Sequence, residues 1–184
     1  MKKINFILAF NIFISIYIFC FLVLASSSYS NGVQYDLPWP GILPDNKLYK
    51  LKVLRNKIID KMIINPVKKV EFDLLMADKT IYASKLLVEK GEIDKALDTA
   101  LKGENYYSML VQHYNHALLS GKKIPVALDK KITLAAMKHQ AVFKELESKV
   151  DGKDKETFKI VNNFSKINYG FIVGSRNPKK TYEQ

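Results

Sequence analysis

Apolar positions recur along most of this chain at spacings of three and four, the period of one helix face, and Gly and Pro punctuate the runs. No stretch sustains the two-residue alternation of a half-buried strand, so the pattern predicts an all-α fold. Five helices are expected. The first covers 46–63, follows Pro44 with Asp45 as its cap, and aligns Leu51, Leu54, Ile58 and Met62 as one apolar stripe. The second covers 66–90, with Asn65 as N-cap, Pro66 in the first turn and Gly91 at the exit. Its stripe (Val67, Val70, Leu74, Ala77, Ile81, Ser84, Val88) has heptad spacing, a seam for packing against other helices.

The third helix, over 92–120, continues that spacing from Ile93 through Tyr107 and Tyr114 to Leu118. Glu104, beside Gly103, breaks the stripe and predicts a kink. The fourth covers 125–150, with Leu128, Ile132, Ala135, His139, Val142 and Leu146 in line. The fifth covers 153–171 and presents Phe158, Val161, Phe164 and Asn168 on one face. Short connections between long amphipathic helices predict an up-and-down bundle of four or five helices over 46–173, with a disordered tail over 174–184.

Two segments ahead of the bundle do not fit it. After Lys2 and Lys3, residues 4–25 carry no charge, and small polar residues follow. This is the layout of a secretory signal peptide, and it is also long enough for a membrane anchor. Residues 1–30 are therefore read as one or the other, and both place the rest of the chain outside the cytoplasm, secreted or held at the membrane. Cys20, the single cysteine, lies inside the apolar run after the bulky Phe19, so it reads as a small apolar residue there. Residues 31–45 form an extended Pro-rich strap: Pro38, Pro40 and Pro44 fix φ, Gly41 permits a tight turn, and Trp39 is a large aromatic for a loop. Packing across one end of the bundle, continued by Tyr49, is one expectation for this strap; a recognition surface for a partner or lipid interface is the other.

The formal net charge of +11 changes this picture little. Arg55 and Arg176 are the only arginines among 29 basic residues, whereas nucleic-acid binders lean on Arg for bidentate contacts, so the charge argues against nucleic acid. Lys68-Lys69, Lys122-Lys123, Lys130-Lys131 and Lys179-Lys180 read as solubilising, or as attraction to anionic lipid or cell-wall polymer.

Candidate chemistry is sparse. His139 falls on a core stripe and needs a buried partner, for which Glu71 and Asp78 are placed. His113 and His116 lie three apart on one side of the third helix, a spacing at which two imidazoles can share a metal, though no third ligand is evident. Tyr106, Tyr107 and Tyr114 read as core, or as the lining of a ligand groove. No nucleophile elbow, zinc-protease motif or phosphate loop is present, so the chain reads as non-enzymatic, with no cofactor and no firm metal site.

Leu37-Pro38-Trp39-Pro40-Gly41-Ile42-Leu43-Pro44-Asp45, followed by Tyr49, Leu51 and Lys52, resembles the opening of a bacterial family of exported domains of unknown function, L-P-aromatic-P-G-[IL]-L-P-D-x-x-x-Y-x-L-K. Asn65-Pro66, Ala77-Asp78-Lys79, and Ala136 with His139 and Phe143 are similar to that family's later motifs. The resemblance implies an exported helical domain and supplies no catalytic residues. The functional expectation is an exported, non-enzymatic interaction or structural module at the cell envelope, meeting an envelope protein or polymer. The strap residues Trp39, Pro40, Gly41, Pro44 and Tyr49 are its candidate surface. The alternative is an extracytoplasmic sensor or carrier that binds a small ligand or metal within the bundle.

Overall fold

The computed structural model describes residues 34–176. The expected signal or anchor at 1–30, the first residues of the strap and residues 177–184 of the tail lie outside it. Among the described residues the chain forms five helices and no strand: α1 (Tyr49–Met62), α2 (Pro66–Glu89), α3 (Ile93–Leu119), α4 (Val126–Glu147) and α5 (Gly152–Arg176). Asn65 caps α2 as expected; its Oδ1 accepts from the amides of Val67 at 2.9 Å and Lys68 at 3.3 Å. Pro66 follows at N1, where a missing N–H costs nothing.

The bundle is built from α2 to α5. Its closely packed pairs are α2 with α3, α4 with α5, α3 with α5, and α2 with α4. One core cluster joins Val70, Leu74 and Ala77 of α2 to Leu110 and Tyr114 of α3, Leu128 and Ile132 of α4, and Ile172 of α5. The other joins Ile81 and Leu87 to Ala96 and Ala100, Phe143 and Leu146, and Phe158 and Val161. The N-terminal halves of α2 and α4 thus meet the C-terminal halves of α3 and α5, an up-down-up-down arrangement. α3 and α4 lie across the diagonal although a short loop connects them, so short connections give antiparallel packed neighbours at α2–α3 and α4–α5 only.

Four expectations are corrected. First, α3 runs unbroken through Gly103 and Glu104. Glycine is needed there because a Cβ would lie 2.6 Å from Cγ1 of Ile81. The missing side chain lets α2 and α3 approach closely, and it is not a kink. Second, Asp45 does not cap α1. It pairs with Lys90 at 2.7 Å, while the side chain of Asn46 accepts from the amide of Leu48.

Third, the stripe of α1 faces outward. Leu51, Leu54, Ile58 and Met62 are between 52% and 73% exposed, and only Asn56 of this helix is buried. Periodicity identified an amphipathic helix correctly but could not say what its apolar face meets. On α5, Phe164 is likewise 50% exposed, and Phe158, Val161, Asn162, Ser165, Asn168 and Ile172 form the buried face. Fourth, α5 continues to Arg176, past the expected start of the tail at 174, because Arg176 Nε donates to Asp129 Oδ1 at 3.0 Å and anchors the last turn to α4.

Candidate functional site

Polar side chains from the strap, α2, α3, α4 and α5 meet inside the bundle. His139 is fully buried, and its Nε2 lies 2.8 Å from Oδ1 of Asp78, which is also buried. Of the two carboxylates placed for this partnership, Asp78 fills it, while Glu71 pairs with Lys68 on the surface. The second oxygen of Asp78 accepts from the hydroxyl of Tyr35 at 2.5 Å, so the strap is tied to the core. Burial, together with the adjacent Asp78 carboxylate, pushes the Tyr35 hydroxyl well above the usual tyrosine range.

On the opposite side of His139 the ring of Tyr107 stands edge-on, with centroids 5.5 Å apart. Glu104 completes the group: its Oε2 accepts from Nδ2 of Asn168 at 3.1 Å, and Ser108 donates to the Oδ1 of the same asparagine. Burial pushes the Glu104 carboxyl up, opposed by His139 and by the hydrogen bond from Asn168. Nδ1 of His139, Oε1 of Glu104, the Tyr107 hydroxyl and Oγ of Ser165 are buried without a hydrogen-bond partner among the described residues. The residue that broke the stripe of α3 in the sequence is therefore, beside Asp78, a second acidic member of a buried network.

His113 and His116 part ways. His116 is exposed, whereas Nδ1 of His113 lies 2.5 Å from Oδ2 of the fully buried Asp73. Burial raises the Asp73 carboxyl, and His113 opposes that rise. The buried Asp73 thus holds the His113 ring of α3 against α2. No cluster of three or more His, Cys, Asp or Glu suited to a metal occurs among the described residues, so His113, His116 and His139 do not combine into one metal site there. Tyr107 and Tyr114 lie in the core, and Tyr114 donates to Asp129 at 2.8 Å.

The strap follows the bundle surface and is fixed at several points. Pro40 and Leu43 are buried, Pro44 and Tyr49 are half-buried, and Gly41 turns the chain at a φ of +73°. Lys52 of α1 donates from Nζ to the carbonyls of Pro40 at 2.8 Å and Ile42 at 2.9 Å, and its ammonium lies over the Tyr49 ring. Trp39 meets Tyr82 of α2 edge-on at 5.8 Å yet stays 64% exposed. The backbone of the strap is thus packed, while its largest side chain faces solvent.

A shallow groove of about 520 Å³ opens between strap and α1, floored by Trp39, Ile42 and Leu51 and edged by Lys52, Arg55 and Lys79. None of these three cations has a carboxylate partner within salt-bridge distance among the described residues. Burial, then the nearby Lys79 and Arg55 charges, lower the pKa of Lys52. Sequence reading did not group Lys52, Arg55 and Lys79 as one site because Lys79 lies on a different helix; the fold gathers them.

No protein-family model, no curated protein and no solved structure matches this chain.

Proposed function

We propose that this protein is an exported, non-enzymatic helical module of the cell envelope, whose strap and α1 form the working surface and whose α2–α5 bundle is the support. The observation that carries the proposal is the outward apolar stripe of α1, Leu51, Leu54, Ile58 and Met62, alongside the exposed Trp39. Contiguous apolar surface of this kind on a soluble domain is a mark of an interaction site. The basic start and uncharged run at 2–25 support the placement. No helix among the described residues is long and apolar enough to cross a membrane, so membrane attachment in this reading belongs to residues 4–25.

Protease added to intact cells that produce the full chain tests the placement. Digestion of the bundle without lysis is expected; protection until lysis contradicts it.

A second reading, a small-ligand sensor or carrier, draws support from the buried polar atoms around His139. A polar interior with unmatched groups is costly for stability alone. A thermal-shift screen against metabolites and metals tests it: a ligand that stabilises wild type but not His139→Leu favours it, and a screen without hits counts against it.

A further inference from the structure

We propose that the groove between the strap and α1 is a docking surface for an anionic lipid bilayer, with the apolar face of α1 lying in the headgroup boundary. The inference rests on the envelope reading above and names the partner of that surface.

The first argument is charge complementarity. The groove places three apolar side chains, Trp39, Ile42 and Leu51, against three cations, Lys52, Arg55 and Lys79, with no carboxylate in its lining. Lys52 is occupied by the strap carbonyls, and Arg55 donates to Oδ1 of Asn56 from Nε at 3.3 Å and from Nη2 at 3.0 Å. Lys79 and the remaining donors of Arg55 are positioned to meet an anionic group. Like charges crowded at a half-buried site repel one another, and an anion seated between them relieves that repulsion.

The second argument is the shape of α1. Leu51, Leu54, Ile58 and Met62 continue the apolar floor along one side of the helix, and Lys50, Lys52, Arg55, Lys57 and Lys61 supply cations along its length. A basic amphipathic helix of this kind lies in the membrane interface with its apolar face in the headgroup–acyl boundary. Trp39 is the residue type that favours that depth. The third argument is reach: a short stretch of chain separates Ala25, the end of the apolar run, from Tyr35, where the strap is tied to the bundle.

Trp39 is the only tryptophan, so its fluorescence reports this surface alone. The full chain is reconstituted into vesicles of phosphatidylcholine, with or without phosphatidylglycerol, that carry brominated acyl chains. Expected results are blue-shifted, quenched Trp39 emission in the anionic vesicles and much weaker quenching in the neutral ones. Arg55→Glu with Lys79→Glu should lower the docked-to-undocked ratio by roughly tenfold or more, since each cation near an anionic surface contributes about 1 kcal/mol. Arg55→Lys with Lys79→Arg should restore it, which separates loss of charge from loss of fold.

Vesicle flotation distinguishes the two levels of the proposal. A chain that floats with vesicles while Trp39 stays unquenched overturns the docking surface and leaves the envelope reading standing. A chain that does not float overturns both. An equal blue shift on adding inorganic phosphate without lipid, or burial of Trp39 in a lipid-free dimer, reassigns the groove and also overturns the proposal.

Discussion

Nε2 of His139 and Oδ1 of Asp78 lie 2.8 Å apart in the middle of the bundle, with both side chains withdrawn from solvent. The pair joins α4 to α2, and through Tyr35 it joins the strap to both. Removing His139 leaves the buried Asp78 carboxylate with the Tyr35 hydroxyl as its remaining side-chain partner. His139→Leu is therefore expected to destabilise the fold by about 3–5 kcal/mol. Chemical denaturation checks this, and a mutant of wild-type stability would contradict it.

Tyr35 is the strap's link to that pair. Tyr35→Phe removes one hydroxyl from a charged acceptor, and about 1.5–3 kcal/mol is the ordinary worth of such a bond. The strap is also held through Lys52, so the expected result is local loosening with the bundle intact. Hydrogen exchange should rise around residues 35–40 more than in α2–α5; a uniform rise across the helices would show that the bond supports the whole fold.

Gly103 and Ile81 mark where α2 and α3 come closest. Gly103→Ala forces a methyl group to 2.6 Å from Ile81 Cγ1, and overpacking of this kind costs about 1–3 kcal/mol. Ile81→Ala removes the obstructing atoms, so the double mutant should be clearly less destabilised than the two single effects added together. Simple additivity would mean that the contact is not what restricts position 103.

These elements show how much of the structure was legible in the sequence. Helix number, the Asn65-Pro66 start and the buried place of His139 followed from spacing and cap chemistry, which are local. The orientation of α1, the role of Gly103 and the gathering of Lys52, Arg55 and Lys79 depend on which helices become neighbours, and periodicity does not encode that. Phe164 shows the same limit. α5 carries apolar residues on both sides, so a stripe drawn through Phe158, Val161 and Phe164 mixes the core face with the solvent face. Glu104 was visible only as a fault in a pattern, because its partner Asn168 comes from another helix.

Glu104 gives the fold a pH dependence opposite to that of a salt-bridged carboxylate. Burial raises its carboxyl from 4.5, and the titratable groups that act with it are His139 and Tyr107, the latter coupled to it in turn. The folded chain therefore holds this proton more tightly than the unfolded chain does. Its contribution to stability is fully present below the unfolded value and is lost as pH rises through the folded one. Glu104→Gln should match wild type in unfolding free energy near pH 4 and exceed it by an amount that grows toward pH 8. Equal destabilisation at both ends of that range would assign the carboxylate a favourable charged role.

The two faces of α5 should respond unequally. Phe158 is fully buried in the cluster with Phe143 and Leu146, and Phe158→Ala is expected to cost about 3–5 kcal/mol. Phe164→Ala should cost under about 1 kcal/mol. Thermal denaturation of the two single mutants compares them directly, and comparable losses would mean that the exposed face is covered in the working protein.

In the proposed function, the exposed apolar stripe of α1 serves interaction and not the core. Equilibrium unfolding of the full chain carrying Leu51→Ser and Ile58→Ser tests it most directly. The expected unfolding free energy lies within about 1 kcal/mol of wild type, as for exposed positions. A loss of about 4 kcal/mol or more, the sum expected for two buried aliphatic side chains, would contradict it.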